Sequence, residues 1–103
     1  MALSKEHKAV SQTDEILTDL LTEIADLDYM VRKGTFESFP NKKFWISELD
    51  KRKTRLERQL DTAEATMAGV TWPQGLKKTY NHAKERQAVT KAQLTKVQKK
   101  LLL

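Results

Sequence analysis

The fold of this chain is decided by the stretch VSQTDEILTDLLTEIADLDYMVRKG, residues 10–34. Its apolar side chains recur at alternating spacings of three and four residues, which places them on one stripe of an α-helix. The stripe consists of Val10, Thr13, Leu17, Leu20, Ile24, Leu27 and Val31. Gly34 suits the left-handed residue that commonly follows a helix, and Ser4 suits its N-cap, with Asp14 as an alternative start. The pattern predicts a first helix over about residues 4–33.

A second stripe of similar length follows after a short connection. It consists of Ile46, Leu49, Lys53, Leu56, Leu60, Ala63 and Met67. Lys53 is its one charged member, and a single charged seam position often determines the register or the oligomeric state of packed helices. A start signal at Pro40 and a stop signal at Gly69 predict a second helix over about residues 40–68.

A third stripe runs through the C-terminal part of the chain and is more polar than the first two. It consists of Leu76, Tyr80, Ala83, Gln87, Thr90, Leu94, Val97 and Leu101. Gln87 and Thr90 interrupt the apolar pattern, so the burial of this segment follows less directly from its sequence. Thr71 and Gln74 have the spacing of a capping box, which predicts a third helix over about residues 72–101.

The three predicted helices define an all-α fold within a single domain of residues 1–103. The first two helices match in length and are joined by a short connection, so they are expected to form a long antiparallel hairpin. The third, basic helix either folds back as part of a three-helix bundle or extends into a coiled-coil-like assembly. In the second case self-association or a protein partner would complete the core, because two helices alone bury little surface.

Composition narrows the class of protein. Apolar residues make up 39% of the chain and charged residues 32%, a balance typical of neither membrane proteins nor disordered chains. No run approaches the roughly 18 apolar residues of a membrane span, and the N-terminus has no apolar signal-peptide region. The lack of cysteine excludes disulfides and thiolate metal sites. These features predict a cytoplasmic protein with no membrane association.

The net charge of +5 is distributed unevenly along the chain. Residues 1–35 carry 4 basic and 7 acidic side chains, whereas residues 71–103 carry 8 and 1. An acidic ridge on the first helix is formed by Glu15, Asp19, Glu23 and Asp26. On the third helix a set of lysines recurs at intervals of seven: Lys77, Lys84 and Lys91. The two sets are expected either to pair, within one chain or between two chains, or to remain solvated.

The third helix is a candidate binding surface for nucleic acid or for an acidic partner. The candidate residues are Lys77, Lys84, Arg86, Lys91, Lys99 and Lys100. Nucleic-acid phosphates attract such surfaces through counterion release, and basic residues of the second helix would add to the attraction. However, lysines dominate, they are spread around the helix, and no helix-turn-helix pattern is present, which favours a solvated or internally paired face.

Aromatic residues are concentrated in the connections and at helix beginnings. Together with the last leucines they form a second candidate surface, for a protein partner or for self-association: Phe36, Phe39, Phe44, Trp45, Trp72, Leu101 and Leu103. If these side chains are buried, they close the ends of the bundle. If they are exposed, they are suitable anchors for a partner.

No pattern in the sequence indicates catalysis. His7 and His82 lack metal-ligand spacing, and there is neither a phosphate-binding loop nor a nucleophile elbow. We therefore expect no catalytic residue, metal, cofactor or small-molecule substrate. The predicted function is that of a non-enzymatic helical protein-interaction module that binds or modulates a larger protein assembly. Small, cysteine-free helical accessory proteins of this style are often encoded by phages and plasmids. The alternative is a nucleic-acid-binding protein that uses the basic faces of the second and third helices.

Overall fold

The computed structural model describes residues 4–103, in which three long helices pack side by side. Helix α1 spans Lys5–Lys33, α2 spans Lys42–Thr66 and α3 spans Gln74–Leu102. A short 3-10 turn, Thr35–Glu37, lies between α1 and α2. The bundle measures 56 × 20 × 20 Å, and each helix contacts the other two. The all-α prediction is therefore confirmed in its three-helix-bundle form, because α3 folds back along the hairpin.

Local side-chain caps determine where the first two helices begin. The Ser4 hydroxyl accepts a hydrogen bond from the His7 amide at 3.1 Å, which makes Ser4 the N-cap of α1. The Asn41 side chain accepts one from the Phe44 amide, also at 3.1 Å. This cap places the start of α2 two residues later than the proline signal at position 40 predicts.

The turn between α2 and α3 differs from the prediction. Helix α2 ends at Thr66, and Gly69 adopts a φ of +77° in the turn that follows. Helix α3 begins at Gln74, and Pro73 precedes it without a side-chain cap. The predicted capping box of Thr71 and Gln74 is therefore wrong, because Gln74 is the first helical residue and a capping box requires it at the third position.

Gly34 ends α1 in the left-handed conformation, with a φ of +67°. A Cβ at this position would have no neighbour closer than 4.0 Å, so a substitution would strain only the backbone. We expect Gly34→Ala to lower the free energy of unfolding by about 1 kcal/mol. Gly75→Ala is the matched control, because Gly75 is helical with open space around it, and it is expected to raise stability by up to about 1 kcal/mol. Urea denaturation measures both changes, and shifts of the same sign would contradict this description.

The core is built from the three predicted stripes. Fully buried leucines come from every helix: Leu17, Leu20, Leu49, Leu56 and Leu94. The two polar residues in the middle of the α3 stripe are buried as well. Gln87 donates from Nε2 to the Leu56 carbonyl oxygen at 3.1 Å, and the Thr90 hydroxyl donates to Asp28 Oδ1 at 2.9 Å. These hydrogen bonds allow α3 to stay buried through its polar middle, because a buried polar group is tolerated when it has a partner.

A polar layer surrounds Lys53, the charged seam position of α2. Lys53 Nζ lies 2.7 Å from Gln98 Oε1 and 3.2 Å from Thr95 Oγ1, both on α3. It also lies 3.6 Å from Asp50 Oδ1. Gln98 donates in turn from Nε2 to the Ile46 carbonyl oxygen at 2.9 Å and to Asp50 Oδ1 at 2.8 Å. Because these groups meet at one alignment of α2 and α3, the layer favours a single register of the two helices.

The antiparallel course of the helices creates two distinct ends of the bundle. At the apical end α1 and α3 finish and α2 begins, and this end comprises residues 29–46 and 96–103. The basal end comprises residues 4–14 and 61–81. The candidate residues of the sequence analysis are divided between the two ends and the flanks that join them.

Candidate partner-binding end of the bundle

Four aromatic side chains pack together at the apical end. This apical aromatic cluster consists of Phe36, Phe39, Phe44 and Trp45. The Phe36 and Phe44 rings meet Trp45 edge-on, with ring centroids 5.0 and 5.2 Å away. The Phe39 ring stacks on Trp45 at 6.1 Å. Trp45 is therefore the centre of the cluster, and each contact has a geometry that aromatic pairs prefer.

The backbone around the cluster explains why these rings meet. Gly34 turns the chain at the end of α1, and Ser38 donates to the Gly34 carbonyl oxygen from its amide at 3.1 Å and from its hydroxyl at 2.8 Å. The 3-10 turn thereby folds back over the end of the bundle. Asn41 then caps α2, whose first turn carries Phe44 and Trp45 next to the 3-10 turn.

Part of the predicted partner surface is exposed at this end. Phe39 and Phe44 are 50% and 51% exposed, and Trp45 lies half-buried between them. Leu103 is exposed, and so is Leu102, which the sequence analysis did not single out. These side chains give the apical end an accessible apolar surface.

Two residues of the predicted partner surface belong to the core instead. Phe36 is 1% exposed and Leu101 is 6% exposed. They close the apical end of the core, Phe36 from the 3-10 turn and Leu101 from the last turn of α3. Neither residue is accessible to a partner in the folded chain, so their assignment to a binding surface is corrected to a structural one.

Trp72 lies at the basal end, separated from the apical aromatic cluster by the length of the bundle. Its ring packs against Tyr80 with centroids 4.8 Å apart, beside a cavity of about 260 Å³. The Tyr80 hydroxyl donates a hydrogen bond to the Glu64 carboxylate. Trp72 is therefore part of a second, separate aromatic contact, and not of the apical surface.

Burial of the Tyr80 hydroxyl, its hydrogen bond to Glu64 and the charge of that carboxylate raise the pKa of Tyr80 from 10.0 to about 12. Because the pKa is higher in the folded chain, Tyr80 supports the folded state fully below pH 10.0 and loses this contribution as the pH rises towards 12. In a Tyr29→Phe variant, which leaves Tyr80 as the one tyrosine, tyrosinate absorbance is expected to rise with a midpoint near 12 in the folded protein. Glu64→Gln should lower that midpoint. Equal midpoints in folded and denatured protein would contradict the prediction.

Ion pairs within the bundle engage two of the candidate basic residues on the flank of α3. Arg86 Nη2 lies 2.7 Å from Asp28 Oδ2 of α1. Lys91 forms an ion pair with Glu57 of α2 and lowers the pKa of that carboxyl through a hydrogen bond and its charge. Arg86 and Lys91 therefore serve contacts between helices.

The other candidate basic residues are far apart in the bundle. Lys77 lines the basal cavity, and the Lys84 ammonium lies 5.9 Å from the centroid of the Tyr80 ring. Lys99 is exposed at the apical end, where Lys100 Nζ lies 3.4 Å from Glu37 Oε1. The structure thus does not bring the six predicted residues together on one surface.

The acidic ridge of α1 meets α2 instead of α3. Glu23 Oε2 lies 3.7 Å from Arg55 Nε, and the groove between the two helices is lined by other members of the ridge. In the part of the chain that the structure describes, no ion pair joins the ridge to the regularly spaced lysines Lys77, Lys84 and Lys91. The predicted pairing is therefore wrong within one chain, because these lysines lie on the side of α3 that faces α2.

Folding collects positive charge at the apical end. This end carries 7 basic and 1 acidic side chains, whereas the basal end carries 4 of each. Lys42 and Lys43 were counted among the basic residues of the second helix, but they were not connected with Phe44 and Trp45, which they directly precede. That adjacency of two lysines and two aromatic residues was the available signal, and the remaining apical cations are distant in sequence.

Comparison with known proteins adds no further residues to this description. No protein-family model, curated protein or solved structure matches the chain. Among residues 4–103, no group of three metal-ligating side chains lies close enough together to hold a metal ion. None of the three helices described is long and apolar enough to cross a membrane. The chemistry of the apical end is that of exposed rings, aliphatic side chains and positive charge.

Proposed function

We propose that the chain is a non-enzymatic helical protein-interaction module that binds or modulates a larger protein assembly through its apical end. The observation that supports this function best is the pair of half-exposed rings, Phe39 and Phe44, packed on Trp45. Large aromatic side chains dominate the binding energy of many protein interfaces. Adjoining exposed apolar groups on a small protein commonly mark an interaction site.

The apical aromatic cluster is ordered before it binds. The buried Phe36 ring packs against Trp45, and the Asn41 cap holds the first turn of α2. Side chains that are already held in place lose less conformational entropy on binding than mobile ones. A purely structural cap would gain stability by burying Phe39 and Phe44 further, so their exposure favours a role in binding.

Nucleic-acid binding through the basic faces of α2 and α3 is the alternative function. It has less support, because Arg55, Arg86 and Lys91 are already paired with carboxylates of neighbouring helices. Phosphate contacts release counterions, so the affinity of such a complex falls steeply as salt rises. An affinity for duplex or single-stranded nucleic acid that is unchanged between low and physiological salt would exclude this alternative.

Affinity capture with surface variants tests the proposed function. The tagged chain, a Phe39→Ser/Phe44→Ser variant and a Val89→Ser control are used at physiological salt, with and without nuclease, on a lysate of cells that naturally produce the chain. Val89 is the matched control because it is an apolar side chain, 39% exposed, on the flank of α3. We expect one stoichiometric protein to be retained by the wild type and by the control, and lost by the double variant.

Two results would contradict the proposal. Retention of the same protein by the double variant would place the binding site elsewhere on the bundle. Loss of all retained protein after nuclease treatment, with nucleic acid as the common component, would favour the alternative function. All three proteins are expected to fold, because the substituted phenylalanine rings are already half exposed to water. Circular dichroism and thermal unfolding check this expectation.

A further inference from the structure

We infer that the apical end binds an acidic protein segment, one whose apolar side chains are flanked by aspartate or glutamate. This inference rests on the proposed function and specifies the chemistry of the partner. It combines two observations at one end of the bundle, the exposed aromatic rings and an excess of positive charge.

The excess of positive charge at the apical end is larger than the net charge of the whole chain. The apical end has a net side-chain charge of +6, while the chain as a whole has +5. The basal end, with 4 basic and 4 acidic side chains, is neutral. Positive charge is therefore a property of the end that carries the exposed rings, and not of the surface in general.

The apical cations have little compensation within the chain. The one apical carboxylate, Glu37, is already paired with Lys100. The remaining six apical cations make no ion pair with any residue among 4–103: Arg32, Lys33, Lys42, Lys43, Lys96 and Lys99. Arg32 and Lys33 instead lie 5.9 and 5.6 Å from the centroid of the exposed Tyr29 ring.

Lys42 and Lys43 are placed against the local preference of their helix. They occupy the first turn of α2, where the helix dipole favours negative side chains, and α2 has no acidic residue there. Neither lysine contributes an ion pair that would offset this cost. Their position beside Phe44 is explained if they meet carboxylates of a bound partner.

Binding chemistry also favours an acidic partner over a neutral one. A partner that covers Phe39 and Phe44 extends over the first turn of α2, which also carries Lys42 and Lys43, and it removes water from their surroundings. Without negative charge opposite, this desolvation is uncompensated. Carboxylates at the rim compensate for it, increase the rate of association and exclude basic competitors.

The form of the aromatic cluster suits a protein partner. The rings of Phe39 and Phe44 lie against Trp45 and are each about half covered. Such a surface suits close packing against another folded or helical segment.

Fluorescence of Trp45 provides the test. In a Trp72→Phe variant, Trp45 is the one tryptophan and reports on the apical end alone. The probes are three synthetic helical peptides with leucine at spacings of three and four, which differ only in having glutamate, glutamine or lysine at the flanking positions. At physiological salt we expect the glutamate peptide to shift Trp45 emission to shorter wavelength, and to bind at least about tenfold more tightly than the glutamine peptide. The lysine peptide is expected not to bind.

Charge reversal supplies the matched variants. Lys42→Glu/Lys43→Glu is expected to weaken binding of the glutamate peptide by at least about tenfold and to permit binding of the lysine peptide. Lys77→Glu/Lys78→Glu makes the same change near the start of α3, at the basal end, and is expected to leave the affinity unchanged.

Three other outcomes would overturn the acidic-partner inference. Equal binding of the glutamate and glutamine peptides would overturn the acidic-partner inference and leave the apical docking function in place. No response to any peptide, together with capture that is insensitive to Phe39 and Phe44, would overturn both. A Trp45 shift with phosphatidylserine-containing vesicles or with duplex DNA, but not with the glutamate peptide, would assign the surface to lipid or to nucleic acid and overturn the inference.

Discussion

Replacing Phe36 with alanine is expected to lower the free energy of unfolding by about 3–5 kcal/mol. The Phe36 ring is fully buried at the apical end of the core and meets Trp45 edge-on at 5.0 Å. Its removal leaves a cavity between the 3-10 turn and the helices, and the short turn has few side chains with which to fill it. Urea denaturation followed by circular dichroism measures the change.

Phe39→Ala is the control for this prediction. Phe39 belongs to the same aromatic cluster, but it is 50% exposed, so its truncation is expected to cost about 1 kcal/mol or less. The pair of variants separates the structural role of Phe36 from the binding role proposed for Phe39. Equal losses of stability in the two variants would show that Phe36 is not part of the core.

Gln98→Ala is expected to lower the free energy of unfolding by about 1–3 kcal/mol. Gln98 provides the closest hydrogen-bond acceptor of Lys53 Nζ, at 2.7 Å, and donates to the Ile46 carbonyl oxygen at 2.9 Å. Its truncation leaves a largely buried ammonium group with a weaker set of partners. The same denaturation experiment measures the loss.

A double variant distinguishes the polar contact from simple packing. Lys53→Leu/Gln98→Leu is expected to recover most of the stability that Gln98→Ala loses, because replacing both members of a buried polar pair with apolar side chains is often close to neutral. Asp50, which also belongs to the polar layer, is exposed and can be hydrated. Lys53→Leu alone should be destabilising, since it leaves the Gln98 carbonyl oxygen without its ammonium partner. Additive effects of the two single leucine substitutions would mean that Lys53 and Gln98 do not interact.

The core positions on the helices follow closely from the sequence. Leu20 and Leu56 are buried at the positions that the alternation of three and four predicts, because helical periodicity is a local property. The burial of the polar stripe positions Gln87 and Thr90 follows less directly from the sequence, since it depends on a carbonyl group of α2 and a carboxylate of α1. Both acceptors are distant in sequence, so no local pattern indicates that they will be available.

The apical surface was predicted only in part. Phe39, Phe44 and Trp45 were named as candidates, and the first two are half exposed. Phe36 and Leu101 were named with them, although they are buried. Exposure in a connection depends on which helix ends lie beside it, and the end of α3 reaches the 3-10 turn only after the chain has reversed twice.

The sequence by itself determined the number of helices, the faces they bury and the caps of α1 at Ser4 and Gly34. These features depend on side chains within a few residues of one another. The tertiary structure alone decided which charges meet. It directed the acidic ridge towards α2, and it brought cations from the end of α1, the start of α2 and the end of α3 to one end of the bundle. Electrostatic interactions depend on distance in space, so the gradient of charge along the chain became a difference between two ends only when the helices packed.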